Sequence, residues 1–179
     1  MGTKFSTRIW VSVVGIASIF LGSKGYADTV ISVADFGLKP DTRENAVAYV
    51  QKAIEACRGK EPVTLVFPEG RYDFWPQYAH EKNYYETNTY DVFPKRLAML
   101  FEGLHNITVD GNGSQFIMHD RIQPITVENC DGVTLKNFSI DWDIPLTAQA
   151  RVTKVGSDFF EIEINVLESP YIIEDGKLV

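Results

Sequence analysis

The chain has 179 residues, 45% of them apolar and 23% charged, proportions that suit a globular domain and exclude a disordered tail, a collagen-like fibre or a polytopic membrane protein. Its formal charge is −7. An acidic balance disfavours nucleic acid and other phosphate-backbone partners, and equally disfavours an electrostatic grip on an anionic polysaccharide.

Residues 1–27 have the layout of a secretory signal peptide. Lys4 and Arg8 precede a thirteen-residue, largely apolar run from Ile9 to Leu21, and a polar stretch then ends at Ala27 with Gly25 two positions before it. The run falls short of the roughly 20 apolar residues a bilayer span requires. Cleavage after Ala27 leaves 14 basic and 24 acidic residues, a charge of −10, on a periplasmic or secreted chain with no membrane association. Only Cys57 and Cys130 remain, which allows one disulfide and excludes a disulfide-built scaffold.

Thr29 to Phe36 alternates well enough for a short strand, followed by a loop at Gly37 and Pro40. A helix is predicted next, with Asp41 as cap and Glu44 as the reciprocal half of a capping box. Its apolar face holds Ala46, Val47, Val50, Ala53, Ile54 and Cys57, and Gly59 stops it. Val63 to Phe67 is a buried strand closed by Pro68 and Gly70. From Arg71 to Arg96 no period is sustained. Tyr72, Phe74, Trp75, Tyr78, Tyr84, Tyr85, Tyr90 and Phe93 crowd there among polar residues, the mark of a long functional loop. Aromatic faces suit either stacking on a pyranose or capping the end of a hydrophobic core.

A self-match follows. Glu102 to Gly111 lies over Glu128 to Asn137, pairing Leu104 with Cys130, Ile107 with Val133, Thr108 with Thr134 and Val109 with Leu135. Such a period means stacked coils. Strand alternation then turns Ile107, Val109, Val133 and Leu135 inward as an interior stack, with Thr108 and Thr134 stacked outside and Cys130 filling a corner. Beyond Pro145 the pattern changes to Ala148–Val155 and Phe159–Val166 around Gly156, Ser157 and Asp158, a hairpin signature. The predicted organisation is a signal peptide (1–27), a capping segment with the first coils (28–145), and the start of an inserted antiparallel β module (146–179). The sequence reaches Val179 inside a further predicted hairpin, as though cut short.

The sharpest cluster of side chains is Asp141-Trp142-Asp143. Residues two apart on a strand face the same way, so the carboxylates stand about 7 Å apart with Trp142 opposite. Inverting glycosidases separate their two carboxyls by roughly 6.5 to 9.5 Å; equally, Asp closes strands and opens turns as a matter of routine. Asp141, Trp142, Asp143 and Trp75 are therefore candidate substrate contacts. His119-Asp120-Arg121 could place a cation and an acid near a groove, but reads first as a surface ion pair at a coil corner. His80, His105 and His119 are scattered without ligand spacing, so no metal is expected. Asp110 to Gly113 reads as a turn between coil faces, and the sequons at Asn106, Asn112 and Asn137 as structure.

Val33-Ala-Asp-Phe-Gly37, the helix through Gln51-Lys-Ala-Ile54, and Val66-Phe-Pro-Glu-Gly-Arg-Tyr72 resemble the opening of the pectate-lyase-like superfamily. More narrowly, Asp73-Phe-Trp-Pro76, Asn106-Ile-Thr-Val-Asp-Gly-Asn-Gly113 and Asn137-Phe-Ser-Ile-Asp-Trp-Asp-Ile-Pro145 resemble the N-terminal part of glycoside hydrolase family 110. The likeness covers nearly all of the mature chain. It implies a mainly β fold, a right-handed parallel β-helix with an N-terminal capping helix and inserted β-barrel modules. It further implies a cofactor-free, metal-free, inverting exo-α-1,3-galactosidase acting on blood group B-type or linear Galα1,3Gal glycans. Family members are several times longer, and the resemblance puts their catalytic Asp residues in later coils, so catalytic residues are expected beyond Val179. A chain of two coils is accordingly expected to be inactive and poorly soluble. A polysaccharide lyase or polygalacturonase on the same scaffold is the second reading, opposed by the acidic charge. A non-catalytic glycan-binding β-helix is the third. If the leader is cleaved as its pattern predicts, N-terminal sequencing of the exported protein starts at Asp28; an intact Met1 on soluble protein contradicts it.

Overall fold

The computed structural model describes residues 29–83 and 94–178. The leader, and Tyr84, Tyr85, Tyr90 and Phe93 of the aromatic segment, lie outside the described residues. The fold is mainly β, and its sheets are built chiefly from parallel strands. Among the described residues no helix is long and apolar enough to cross a membrane.

The chain opens with β1 (Thr29–Ser32) and turns at once into a 3-10 helix, Val33–Phe36, so the alternation in this stretch supports a strand only half as long as predicted. The capping box lies here. Ser32 Oγ accepts from the Ala34 N–H, and the Asp35 carboxylate accepts from the Ser32 N–H. Helix α1 (Val47–Cys57) buries all six predicted apolar positions, Ala46 among them just before its first turn. Its start corrects the sequence reading. Asn45 Oδ1 accepts from the Val47 N–H, whereas Asp41 faces the other way and accepts from the Arg71 N–H at 2.9 Å. Asp41 adopts a left-handed φ of 61°, a conformation that short polar side chains tolerate, and this aims its carboxylate at a strand rather than at a helix.

Next come β2 (Val63–Val66), β3 (Arg71–Phe74), β4 (His80–Lys82), β5 (Lys95–Glu102), β6 (His105–Met118), β7 (Gln123–Glu128) and β8 (Asp131–Trp142). The first sheet runs β1-β2-β6, with β3 and β8 also paired to β6, all parallel. In the second sheet β5 pairs with β7 in parallel and with β4 antiparallel. Helix α1 packs on β1, β2 and β5. The segment read as irregular thus contains a parallel strand at its start. Tyr72 and Phe74 are core residues of β3, while Tyr78 is exposed.

Long β6 governs the register. Val63, Ile107 and Val133 form one column across three strands, and Leu65, Val109 and Leu135 another, with Thr64, Thr108 and Thr134 between them. The self-match is a real pairing. It extends back into the second sheet, where Leu97 opposes Gln123 and Glu102 opposes Glu128. Like charges facing each other across strands repel, and Lys82 Nζ resolves this by bonding both carboxylates at 2.7 Å. That hydrogen bond holds Glu102 below the ordinary carboxylate range.

The corners repeat as well. Gly103 and Asn129 have φ of 62° and 51°, and Asn106 and Gly132 have 48° and 68°. Gly and Asn exchange places at equivalent corners because both enter the left-handed region cheaply. Asn112 and Asn137 share that conformation, so all three sequon asparagines are backbone corner residues. Between Asp110 and Ser114 the register shifts, and β6 uses three residues where β8 uses only Asn137. A Cβ at Gly111 would lie 2.5 Å from Phe138 Cβ and 2.7 Å from the Asn137 carbonyl oxygen, so only glycine fits there.

Cys57 and Cys130 are separate thiols. Burial pushes the Cys57 thiol up to about 11, and the Cys130 thiol donates toward the Phe101 and Glu128 carbonyls at the corner it was predicted to fill. After β8 the pairing becomes antiparallel, with β9 (Ala150–Val155) against β10 (Phe160–Ile164) and β11 (Ile173–Glu174) against β12 (Lys177–Leu178).

The predicted interior stack is graded: Ile107 and Val109 are fully buried, Val133 is half-buried and Leu135 is 39% exposed. Ile107→Ala should therefore cost about 2 to 5 kcal/mol through lost burial and a residual cavity. Leu135→Ala should cost under about 1.5 kcal/mol, because its side chain retains solvent. Denaturant midpoints of the two variants check the order, and equal losses would contradict the placement of β8 at the edge.

Candidate functional site

The β3, β6 and β8 ends carry the polar cluster that sequence reasoning only touched. Arg71 and Asp73 project from the same side of β3, opposite core residues Tyr72 and Phe74. The loop before α1 covers that side. Asp41 N–H donates to the Arg71 carbonyl, Ala46 N–H to the Asp73 carbonyl, and Asn45 pairs with Asp73 as a parallel bridge. The Asp73 side chain is thereby fully buried.

Arg71 answers that burial with Nε at 2.9 Å and Nη2 at 2.5 Å from the Asp73 carboxylate. His119 Nε2 lies 2.8 Å from Asp73 Oδ1. Arg71 Nη2 also reaches Asp143 Oδ1 at 3.0 Å, and His119 Nδ1 lies 3.8 Å from Asp143 Oδ2. Burial by itself would push the Asp73 carboxyl up. Hydrogen bonds from Arg71 and His119 outweigh it and hold Asp73 below the ordinary aspartate range. The same hydrogen bond to Asp73 raises the Arg71 guanidinium, which stays charged throughout.

Register explains why these residues meet. Asp73 opposes Ile117, which opposes Asp141. One step further the His119 N–H donates to the Phe74 carbonyl and the Asp143 N–H to the Met118 carbonyl, so Trp75, His119 and Asp143 lie side by side at one level of adjacent strands. The Trp75 and His119 rings stack at 3.9 Å, tilted by only 6°.

Of the four candidate contacts, Trp75 and Asp143 come together on His119. Trp142 is turned against the core, with Nε1–H donating to the Asp120 carbonyl at 3.3 Å. Asp141 is exposed and accepts from its neighbour, the Trp142 N–H. The opposition of Trp142 to both carboxylates is as predicted, but only Asp143 joins the cluster. His119-Asp120-Arg121 is no local ion pair of the kind expected, for His119 is 14% exposed and its partners are Asp73 and Asp143. Arg71 and Asp73 were missed because they sit among aromatics read as a loop. Their i, i+2 spacing is the signal that finds them, once Arg71–Phe74 is known to be a strand.

A surface cavity of about 580 Å³ lies on the β9–β10 hairpin, lined by Gln149, Ala150, Arg151, Glu163, Ile164 and Asn165. Its charges are one exposed ion pair that is already neutralised, Arg151 with Glu163, and no aromatic plane borders it. The Asp73 cluster is the better candidate on chemistry. Among the described residues no group of three or more His, Cys, Asp and Glu side chains is arranged to hold a metal ion.

Comparison with known proteins bears on what this arrangement serves. No family model matches the chain. It is 61% identical over 152 residues to alpha-1,3-galactosidase B of Bacteroides thetaiotaomicron, a match covering 85% of this chain and 25% of the relative. Over that span the two proteins are homologous. An alpha-1,3-galactosidase A of Shewanella woodyi is 35% identical over 150 residues, 83% of this chain and 24% of the relative. An alpha-1,3-galactosidase B of Phocaeicola vulgatus is 36% identical over 159 residues, 87% and 25%. The resemblance read from the motifs is thus supported by curated relatives bearing the name of that activity. The chain spans about a quarter of the length of the curated relatives it matches.

Asp73 gives the cluster a pH signature. Its folded value is depressed, so its contribution is present above the unfolded value of about 3.9 and is lost as pH falls through the lower folded value. Asp73→Asn should destabilise by about 3 kcal/mol near neutrality, the cost of removing one partner from a buried pair. Denaturant unfolding at neutral pH and near pH 3 checks this, with the gap between wild type and variant narrowing at the lower pH.

Proposed function

We propose that this chain forms the opening coils of an inverting exo-α-1,3-galactosidase that removes terminal α-1,3-linked galactose from blood group B-type or linear Galα1,3Gal glycans. The observation that carries the reading is 61% identity over 152 residues to a protein of that name. Parallel pairing supports the finer architecture: a right-handed parallel β-helix capped by α1, in which β6 and β8 are successive strands of one face and β5 and β7 of another. The antiparallel hairpin beyond Leu146 begins an inserted module, and export follows the leader pattern in residues 1–27.

An inverting mechanism needs one carboxylic acid to protonate the leaving oxygen and one carboxylate to activate water. The buried, doubly bonded Asp73 suits neither role, since it accepts only and reaches no solvent. Asp143 retains an exposed oxygen and suits a substrate contact. The catalytic pair belongs, on this reading, to coils outside residues 1–179. The acidic charge of the chain supports a neutral glycan over a uronate polymer, and hence a galactosidase over a lyase.

Replacing the matching segment of the Bacteroides thetaiotaomicron relative by residues 28–179 gives a chimera on which to measure galactose release from a Galα1,3Gal-terminated glycan. Release by the chimera, with none by residues 28–179 alone, is the expected result. A folded chimera without activity would count against the assignment, and release by residues 28–179 alone would bring the catalytic carboxylates into this chain, with Asp141 and Asp143 the first to replace.

A further inference from the structure

The Asp73 carboxylate only accepts hydrogen bonds, so the His119 nitrogen at 2.8 Å from it carries the proton. In the neutral imidazole the lone pair is then on Nδ1. Asp143 Oδ2, 3.8 Å from it, is too distant for a hydrogen bond. No buried side-chain nitrogen or oxygen among the described residues lacks a partner, so Nδ1, for which the described residues supply no hydrogen bond, is not sealed off within a side chain 14% exposed. Asp143 spends Oδ1 on Arg71 at 3.0 Å and keeps Oδ2 outward, its side chain 39% exposed. Two acceptors of different residues thus stand side by side at the surface, one held by Asp73 and the other by Arg71. Trp75, stacked on His119, fixes the imidazole plane.

We propose that His119 Nδ1 and Asp143 Oδ2 form an acceptor pair for two adjacent ring hydroxyls of a neutral hexose, and that Asp73 is the positioning residue that sets the His119 tautomer. Adjacent ring hydroxyls place their oxygens about one hydrogen-bond length apart, so each can donate to one member of a pair 3.8 Å apart. Two carboxylates face one guanidinium in the cluster, which turns away uronates, sulfated sugars and phosphates. That the hexose is galactose rests on the galactosidase reading; the acceptor pair does not.

The test uses the chain with 15N-labelled histidine. Two-bond 15N–1H correlations should show His119 as the Nε2–H tautomer, and methyl α-galactoside should shift the Nδ1 resonance while galacturonate leaves it unmoved. Asp143→Asn should weaken sugar binding about tenfold, the worth of one or two hydrogen bonds. Asp73→Asn should convert part of the population to the Nδ1–H tautomer and weaken binding although no sugar touches it, and Asp73→Glu should restore the tautomer. An Nδ1–H tautomer in the wild-type chain, a shift with galacturonate equal to that with the neutral glycoside, or no shift with any neutral hexose overturns the proposal; the wild-type measurements stand even if a variant fails to fold. A response to methyl α-glucoside but not to the galactoside would uphold the acceptor pair and defeat the galactose assignment alone.

Discussion

Everything in this fold hangs on β6 holding its register with strands on both of its flanks. It pairs in parallel with β2 and β3 on one side and with β8 on the other. Parallel strands without a shift put residue over residue, so each position of β6 decides what its neighbours must be. Where β6 has Ile107 and Val109, its neighbours have Val63, Leu65, Val133 and Leu135. Where it has Thr108, they have Thr64 and Thr134. A slip of one residue would turn every apolar side chain outward, and left-handed corners at Gly103, Asn106, Asn129 and Gly132 help fix the lengths that prevent it.

The polar cluster is a consequence of the same register. Trp75, His119 and Asp143 meet because the ladder continues one residue past the ends of β3 and β6. The register shift between Asp110 and Ser114 brings Asp143 rather than a later residue onto the rung of His119. The cluster then locks through Asp73, a carboxylate buried by the loop ahead of α1 and neutralised by Arg71 and His119. Burying a charge is tolerated only when it is paired and hydrogen-bonded, and here both partners also reach the exposed Asp143. A core-like interaction therefore orders a surface one.

Homology and geometry bear on different parts of the functional reading. Relatives named for α-1,3-galactosidase activity match most of the chain, and the chain spans about a quarter of their length. Within that quarter the proposed sugar contact is Asp143, 39% exposed, with His119 Nδ1 3.8 Å from it. The cluster offers no pair of open carboxyls, since the Asp73 side chain is fully buried and hydrogen-bonded to Arg71 and His119.

Local pattern alone determined a good deal. The apolar face of α1, the strand at Val63, the pairing of Ile107 with Val133 and Thr108 with Thr134, the hairpin around Gly156 to Asp158, and the structural use of Asn106, Asn112 and Asn137 were legible because each depends on residues near in sequence or on a repeat. The motif likeness also pointed to the galactosidase relatives. What the pattern concealed was decided by distant partners. Asp41 looked like a helix cap, yet the strand at Arg71 competes for its carboxylate. Arg71 to Phe74 looked like loop because its strand character comes from β6, 44 residues on. His119 looked like a surface histidine, and only the stacking of three strands buries it against Asp73 and Asp143. Charged groups in a parallel stack take their meaning from the rungs above and below, which no window of the sequence contains.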